Sequence, residues 1–385
     1  MSNFLWKIYL SRFFDSFILI GVLFSLFFSQ QGLDPFQISI LISIWSLTTI
    51  LTEVPFGVLA DTYSRRNLLI IGLILRAIGF GFWIMGGFVN FAIGFVLWGL
   101  KNTLTSGTLE GLVYDELSYY KKEGEYEVVN GKMSAFFSLG LFLSAIFGGV
   151  VAHFSFQLVI IASIAASLLA ALILSTIKSV KSVESTGEVN YWSTLSHAMR
   201  EIRSSKNIIY VISFICIIFA AFGAMDEYWA LVYAKLNLSE STVGILVALV
   251  YGIGSVAGYS IKLFNKAPKY LGYVLIATGA IFYLIFGLTR SVVLLPIVFF
   301  GIYLFQIASI KLEAELQHHI TSHQRSTISS IKSLLFELVY MGYVLLFGFV
   351  GSQYGILATP VVAGAILLVS ITIIPLLSPK KVGNP

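Results

Sequence analysis

Charged residues inside long apolar stretches are the feature of this sequence that could do chemistry. A set of acids, and a smaller set of bases, interrupts segments that are otherwise hydrophobic. Placing one charge at the centre of a membrane helix costs about 2.5–3.5 kcal/mol, so such groups normally face protein or water. Carboxyls in apolar surroundings also exchange protons, because burial disfavours their charged form. The acids are Asp15, Glu53, Glu110, Asp226, Glu227, Glu313, Glu315 and Glu337, and the bases are Arg76, Lys101 and Lys311.

Composition indicates what surrounds these charges. The chain has 385 residues, of which 57% are hydrophobic and 11% are charged. A soluble domain carries about 25% charged residues, and continuous apolar runs are typical of membrane helices rather than of a barrel. The sequence therefore predicts an all-α integral membrane protein. Its single cysteine excludes an internal disulfide framework.

Twelve transmembrane helices are predicted, each close to the roughly 20 residues that cross a bilayer. A polar segment at 178–206, with a possible amphipathic surface helix around 192–203, divides the chain into six-helix bundles at 1–177 and 207–385. Two bundles of equal size are the organisation of a duplicated transporter. The predicted spans are 10–30, 37–60, 67–89, 91–114, 133–152, 155–177, 207–234, 240–262, 270–289, 292–316, 327–350 and 353–377.

Lysine and arginine set the predicted orientation. If the N-terminus is cytoplasmic, almost all basic residues of the loops, tails and span ends, Arg12 and Lys332 among them, fall on the cytoplasmic side, and only Lys235 and Arg290 fall outside. Both termini are therefore predicted to be cytoplasmic, which requires an even number of spans. This asymmetry also accounts for the net charge of +5, so no nucleic-acid partner is expected.

The segment "GVLADTYSRRNLL", 57–69, joins the second and third predicted spans. It resembles the signature G-x-L-A-D-R-x-G-R-K-x-x-L between helices 2 and 3 of the major facilitator superfamily, although Thr62 and Ser64 replace a basic residue and a glycine. The resemblance implies a twelve-helix transporter that works by alternating access, with a latch at the cytoplasmic interface. Asp115, which ends the fourth span, is expected either to pair with a latch arginine or simply to end its helix. The latch residues are Gly57, Asp61, Arg65, Arg66 and Asp115.

The chain is similar to bacterial drug and metabolite proton antiporters at two further places. Lys101 lies near the position where drug antiporters carry a basic residue implicated in proton transfer. The segment "GLFLSAIFGG", 140–149, resembles the antiporter pattern G-x-x-x-G-P-x-x-G-G, with Ser144 and Ala145 in place of glycine and proline. This similarity implies export, whereas small residues that only permit close helix packing are the alternative.

Six charged residues within the spans are predicted to take part in proton coupling. For each of them, the alternative is a structural role, either as a neutral carboxyl bonded to a neighbouring helix or as half of an ion pair. Lys311 and Glu315, four residues apart, are expected to pair on one helix face. The coupling residues are Asp15, Glu53, Lys101, Glu110, Glu313 and Glu337.

The segment "GAMDEYWALVYAK", 223–235, combines carboxyls with aromatic rings. Such a combination attracts a hydrophobic cation through charge and cation–π interaction, so these residues are predicted to contact substrate. An interfacial aromatic belt is the alternative. The predicted substrate-binding residues are Asp226, Glu227, Tyr228, Trp229 and Tyr233.

These patterns predict a proton-coupled exporter of small amphipathic molecules, such as drugs or secreted metabolites, that acts as a monomer in the cell inner membrane. Its expected partners are the small-molecule substrate, protons and the lipid bilayer. The sequence contains no Walker loop, catalytic triad or metal-ligand spacing, so no enzyme activity, cofactor or metal is expected. A proton-coupled importer of a nutrient and a non-transporting membrane sensor are the alternatives.

Overall fold

The computed structural model describes residues 1–177, 206–264, 268, 270–319 and 325–376. The predicted surface helix around 192–203 lies outside this part. None of the described residues is in a strand, in agreement with the predicted all-α class. The α-helices are α1 (Ser2–Ser16), α2 (Phe24–Gln30), α3 (Pro35–Thr62), α4 (Arg65–Met85), α5 (Phe88–Thr105), α6 (Thr108–Tyr119), α7 (Tyr126–Ala152), α8 (Phe156–Ser175), α9 (Lys206–Asp226), α10 (Trp229–Lys235), α11 (Glu240–Ser260), α12 (Leu271–Thr289), α13 (Leu295–His319), α14 (Arg325–Tyr354) and α15 (Thr359–Leu376).

Short 3₁₀ helices occur between several of these elements. One separates α1 from α2, one precedes α7, and the others follow α11 or precede α13 and α15. They extend over Leu19–Val22, Glu123–Glu125, Ile261–Phe264, Val292–Leu294 and Ile356–Ala358.

The helices form two compact units. The first comprises Met1–Thr186 with Asn237–Tyr251, and the second comprises Gly187–Leu236 with Gly252–Pro385. In the first unit α4 packs on α5 and α8, α3 packs on α5, and α1 packs on α7 and α8. In the second unit α12 packs on α13 and α15, and α9 packs on α14, α15 and α13. Each unit therefore buries its own apolar core.

Three predicted spans are each divided into two helices. The first span is interrupted between Ser16 and Phe24, and the fourth is interrupted at Ser106 and Gly107. Gly107 has φ of +68°, in the left-handed region that glycine adopts without strain. The seventh span bends by 46° between Asp226 and Trp229. The prediction of continuous helices at these places is wrong, because an apolar run does not reveal a local break in backbone hydrogen bonding.

The break after α1 is stabilised by its neighbours. The free N–H of Ile20 donates to Ser163 Oγ of α8 at 3.0 Å, which satisfies a backbone group that would otherwise be buried without a partner. Gly140 of α7 lies against the end of α1, where a Cβ would be 2.6 Å from the carbonyl oxygen of Phe13. The glycine-rich segment of α7 therefore allows α1 and α7 to approach closely.

Pro55 does not break α3, in contrast to the disruption expected from its ring. The helix continues from Pro35 to Thr62. It begins with a capping box, in which the Asp34 side chain accepts from the Gln37 N–H and the Gln37 side chain accepts from the Asp34 N–H.

Nine helical segments among the described residues are long and apolar enough to cross a membrane, or ten if the bent pair in the seventh span is counted. The first and fourth predicted spans are missing from this set. Each of them is divided by a break, and each carries charged residues beside that break. The total of twelve spans therefore stays a prediction.

We expect Gly140→Ala to lower the thermal unfolding midpoint of the protein in detergent, because overpacking a close helix contact costs about 1–3 kcal/mol. Gly131→Ala on the same helix is the matched control, since a Cβ there meets nothing within 4 Å. That control should leave the midpoint unchanged or raise it, because alanine favours helix over glycine by about 1 kcal/mol. Equal midpoints for the two variants would contradict the close α1–α7 contact.

Candidate functional site

Asp15 stands at the centre of a buried ion cluster in the first unit. Its Oδ1 lies 2.8 Å from Lys101 Nζ and 2.9 Å from Arg76 Nη1, and its Oδ2 lies 3.3 Å from Arg12 Nη1. The side chains of Asp15, Arg76 and Lys101 are each less than one-tenth exposed. One carboxylate therefore balances three cations contributed by α1, α4 and α5.

Arg76 is a member of this candidate site that sequence reasoning did not place there. It is the one internal charge assigned to the predicted third span. A single buried cation needs an acid on another helix, and this was the signal in the sequence that could have indicated its role. Its Nε donates to Ser167 Oγ of α8 at 3.1 Å, and its Nη1 pairs with Asp15. Its Nη2 is buried and has no hydrogen-bond partner among the described residues.

Arg12 was assigned to the cytoplasmic tail as a topology residue, but it belongs to this cluster. Its guanidinium lies 4.3 Å from the centre of the Phe137 ring, which is the geometry of a cation–π contact. Arg12 lies one helical turn before Asp15 on α1. Its side chain is 26% exposed, more than that of either other cation of the cluster. α1 begins at Ser2, so Arg12 is a helix residue, and its location on the cytoplasmic side stays a prediction.

A cavity of about 410 Å³ opens onto the cluster. This size is within the range of small-molecule sites. Polar residues from the break between α5 and α6 line one part of it, and aromatic residues line another. The cavity is lined by Arg12, Asp15, Arg76, Lys101, Asn102, Ser106, Glu110, Trp45, Trp98 and Phe137, among others.

Glu110 lines the same cavity from the first turn of α6. The N–H groups at a helix N-terminus favour a nearby negative charge, and the α5–α6 break creates this N-terminus inside the predicted fourth span. Glu110 Oε2 is buried without a hydrogen-bond partner among the described residues. The Nε1 of Trp45, another lining residue, is in the same situation.

Two of the predicted latch residues form an ion pair. Arg65 Nη1 lies 2.6 Å from Asp115 Oδ2, so the expected pairing of Asp115 with a latch arginine exists. The Arg65 guanidinium crosses α6 at Gly111, where a Cβ would be 2.6 Å from Nη1. Arg66 does not join this pair, because its Nη1 donates to the carbonyl oxygen of Ile177 at 2.6 Å.

Two latch residues lie within α3, whose range includes positions 57 and 61. The side-chain surroundings of Gly57 and Asp61 are outside the described part of the structure. Glu53, two turns earlier on α3, is half-buried. It makes no hydrogen bond or ion pair with any described residue.

The second unit holds a group of carboxyls around the bend between α9 and α10. Asp226 is exposed, and it has no hydrogen bond or ion pair to the described residues. Glu227 Oε1 accepts a hydrogen bond of 2.5 Å from the Tyr340 hydroxyl of α14. Glu337, one turn before Tyr340, is close enough to Glu227 for electrostatic repulsion between the two carboxyls.

The predicted substrate-binding aromatics belong to the core of this unit. Tyr228, Trp229 and Tyr233 are almost completely buried, and Tyr228 donates to the carbonyl oxygen of Val344 at 2.7 Å. Trp229 stacks on Tyr233 and meets Tyr283 edge-on. Their burial argues against the alternative of an interfacial belt, and it leaves substrate contact a prediction.

Two charges of α13 contact neighbouring elements, whereas the predicted Lys311–Glu315 pair is not tested by the described residues. Lys311 Nζ donates to the carbonyl oxygen of Phe264 at 2.9 Å, and the side chain of Glu315 lies outside the description. Glu313, predicted to take part in coupling, lies 2.7 Å from Lys332 Nζ of α14. Lys332 was assigned to a cytoplasmic loop, but it is a helix residue whose side chain is 16% exposed.

The comparisons agree with this architecture. The family model described as Major Facilitator Superfamily matches residues 5–341. The chain belongs to the Major Facilitator Superfamily. Members of this superfamily are transporters, not enzymes, and the chain is a multi-pass membrane protein. No curated protein sequence matches it.

Solved structures of other superfamily members share the fold. The nucleoside transporter NupG aligns with a TM-score of 0.83 at 11% identity over 98% of this chain and 100% of its own. A bacterial homologue of the human lysosomal transporter Spinster, inward-facing and occupied, gives 0.76 at 16% identity over 97% and 95%. The D-xylose–proton symporter gives 0.69 at 13% identity over 99% and 98%. At these identities the similarity shows the fold alone.

We expect Asp15→Asn to destabilise the protein far more than Glu313→Gln. Losing the carboxylate of the Asp15 cluster leaves three cations together and costs about 3–5 kcal/mol. Glu313 is 41% exposed and pairs with one lysine, so its loss costs about 0–1 kcal/mol. The measurement is the unfolding midpoint in detergent. Asp15→Asn with Lys101→Met should cost less than the sum of the single variants; additive losses would contradict a coupled cluster.

Proposed function

We propose that this superfamily member is a proton-coupled secondary active transporter that exports small amphipathic molecules across the cell inner membrane. It works as a monomer by alternating access. Its twelve transmembrane helices form six-helix bundles at 1–177 and 207–385, joined by a cytoplasmic linker at 178–206, and both termini are cytoplasmic. The substrate and protons are its transported partners.

The observation that carries the coupling is that six acids on the helices fall into two groups. Asp15, Asp115 and Glu313 each lie within 3 Å of a lysine or arginine nitrogen. Glu53, Glu110 and Asp226 have no such cation among the described residues. An ionised acid in a membrane helix is normally compensated by a cation or by water. The acids of the second group have no cation to hold them in the charged form, so they are the candidates for the proton binding that a proton-coupled transporter needs.

The positions of Glu110 and Asp226 support this role. Each lies beside a helix break, at the start of α6 and the end of α9 respectively. A discontinuous helix in a transporter places backbone dipoles and charged side chains beside a substrate or ion site. Proton binding at such a point changes the charge exposed to water, and so shifts the balance between the inward-open and outward-open states.

The Arg65–Asp115 pair supports a switch between those states. An ion pair that is one-quarter exposed on both partners gains little from Coulomb attraction in water and can be broken at low cost. We propose that it forms in one state and separates in the other. Gly111 keeps the path of the Arg65 side chain free.

Import of a nutrient is the second candidate function. The glycine pattern of α7, which implied export, has a packing reason in this structure. A Cβ at Gly148 would be 2.8 Å from the carbonyl oxygen of Leu19, so this glycine, like Gly140, accommodates the backbone around the first break. The D-xylose–proton symporter, which shares the fold, shows that the architecture serves proton symport as well.

We expect a pH gradient to drive transport in proteoliposomes that contain the purified protein. The probes are radiolabelled indole-3-acetate, indole-3-acetamide and tryptamine, which share one aromatic body and differ in charge. At least one probe should move against its gradient, and collapsing the pH gradient should stop it. Movement opposite to the proton flux indicates export, and movement with the protons indicates import. Flux of no probe, or flux that ignores the gradient, would overturn the proposed function.

Glu110→Gln should abolish probe-induced proton movement, recorded with a pH-sensitive dye inside the vesicles, while probe binding persists. The amide cannot carry the proton but keeps the size of the side chain. Glu127→Gln is the control, because Glu127 is exposed on the first turn of α7. Full proton movement in Glu110→Gln would exclude Glu110 as a proton carrier. The same test applies to Glu53→Gln, Asp226→Asn and Glu227→Gln.

Arg65→Ala and Asp115→Ala should each slow turnover several-fold without weakening probe binding to the same extent. The double variant should be no slower than either single one, because both remove the same contact. Exchange of the two charges, Arg65→Asp with Asp115→Arg, should recover part of the rate. Gly111→Ala should resemble Arg65→Ala, whereas Gly131→Ala should be neutral. Additive losses would contradict a shared latch.

A further inference from the structure

The charges around the cavity of the first unit do not balance. Three cations line it, Arg12, Arg76 and Lys101, and two acids line it, Asp15 and Glu110. With all of them ionised the sum is +3 − 2 = +1. Asp15 already pairs with each of the three cations, so the excess positive charge faces the cavity. This composition is opposite to the acidic interior that the sequence alone indicated.

Two buried donors of this site have no acceptor among the described residues. Arg76 is 3% exposed, and its Nη2 remains unpaired although Nη1 and Nε are bound. The Nε1 of Trp45 is the second unpaired donor. A buried donor without a partner costs free energy comparable to a lost hydrogen bond, so natural sites rarely keep one without a reason. A ligand that only accepts hydrogen bonds and carries negative charge would satisfy both.

The remaining walls are apolar and aromatic. The rings of Trp45, Trp98 and Phe137 line the cavity together with Ile18 and Leu141. Flat rings favour a ligand with an apolar, preferably planar, body. A volume of about 410 Å³ suits a small organic molecule rather than a peptide or a lipid.

From these observations we infer that the cavity binds a small organic monoanion, with its carboxylate on Arg76, Lys101 and Trp45 and its apolar body between the aromatic rings. A guanidinium edge and a carboxylate form parallel charge-assisted hydrogen bonds, and Arg76 Nη2 offers one of them. One negative charge brings the cavity to neutrality when Glu110 is ionised. This inference rests on the proposed function only in calling the bound anion a transport substrate.

Asp15 serves this site as a positioning residue. Asp15 forms an ion pair with Arg76 and accepts a hydrogen bond from Lys101, so it holds the two cations in place before the anion arrives. Ser167 of α8 holds Arg76 in the same way. The ligand therefore meets preorganised donors, which lowers the entropic cost of binding.

Calorimetric titration of the purified protein with the three indole probes tests the inference. Indole-3-acetate should bind at least about 10-fold tighter than indole-3-acetamide or tryptamine, since only the acetate supplies the charge. Inorganic phosphate is a fourth titrant. It should compete weakly, because it has no body for the aromatic walls. Equal affinity for acetate and acetamide, or phosphate as the best ligand, would overturn the inference.

Variants assign the preference to named groups. Arg76→Gln should remove the preference for the acetate, and Arg76→Lys should restore it only in part, because lysine keeps the charge but not the planar fork. Trp45→Phe keeps the ring and loses the donor, so it should weaken the acetate several-fold while the acetamide changes less. This variant keeps the test decisive if the Arg76 variants fail to fold. Lys332→Gln, a cation of the second unit, should leave the preference unchanged.

Glu110→Gln provides a readout that a purely structural role would not change. Removing this negative charge raises the sum of the cavity charges, so the acetate should bind several-fold tighter and tryptamine should not. Persistence of the acetate preference in both Arg76→Gln and Trp45→Phe would overturn the site. Acetate binding without proton-driven flux would refute the proposed function and leave this site standing, whereas proton-driven flux of tryptamine without acetate binding would do the reverse.

Discussion

The cost of placing charge in an apolar bundle governs this structure. Asp15 makes the presence of Arg12, Arg76 and Lys101 in the first unit possible, because cations buried together without a carboxylate would repel one another in a medium of low polarity. These residues connect α1, α4 and α5. The cavity lies beside these residues, and its positive charge comes from the three cations that Asp15 stabilises there.

The helix breaks also help to accommodate charge within the apolar bundle. Three of the predicted spans are interrupted, and each interruption lies within a few residues of an internal charge: Asp15, Glu110 and Asp226. A break exposes backbone N–H and C=O groups, which are acceptable at membrane depth only where protein or water satisfies them. The Ile20–Ser163 hydrogen bond is such a compensation. At each break, the charged side chain and the exposed backbone groups lie close together, in surroundings provided by protein or water. A continuous helix would have no exposed backbone groups beside the charge.

The sequence was sufficient for the helical class, for the superfamily and for most helix positions, because hydropathy and the 57–69 pattern are local signals. It offered an ion pair between Asp115 and Arg65 or Arg66 as one of two interpretations of Asp115, and that pair is present. The helix breaks and the interaction partners of Arg12 and Arg76 could not be predicted from the sequence. Ion pairing in the bundle joins residues as distant as Asp15 and Lys101, and their meeting depends on the packing angles of several helices. The sequence counts more acids than bases within the spans, which suggested an acidic interior. The structure distributes these charges unevenly between the two units. The charge next to a cavity, rather than the total charge, determines which ligand the cavity favours.

This uneven distribution bears on how the proposed transport and the proposed proton movement would be linked. In the first unit the cations exceed the acids around the cavity, whereas in the second unit two adjacent carboxyls, Asp226 and Glu227, lie at the bend between α9 and α10. An anion and a proton do not compete for such different groups, so coupling by direct displacement is not required. Each ligand instead needs a different affinity for the two states of the alternating-access cycle. A difference of about 1.4 kcal/mol in either affinity changes the ratio of the two states tenfold. The Arg65–Asp115 pair, which is cheap to break, suits a protein whose two states must differ by so little.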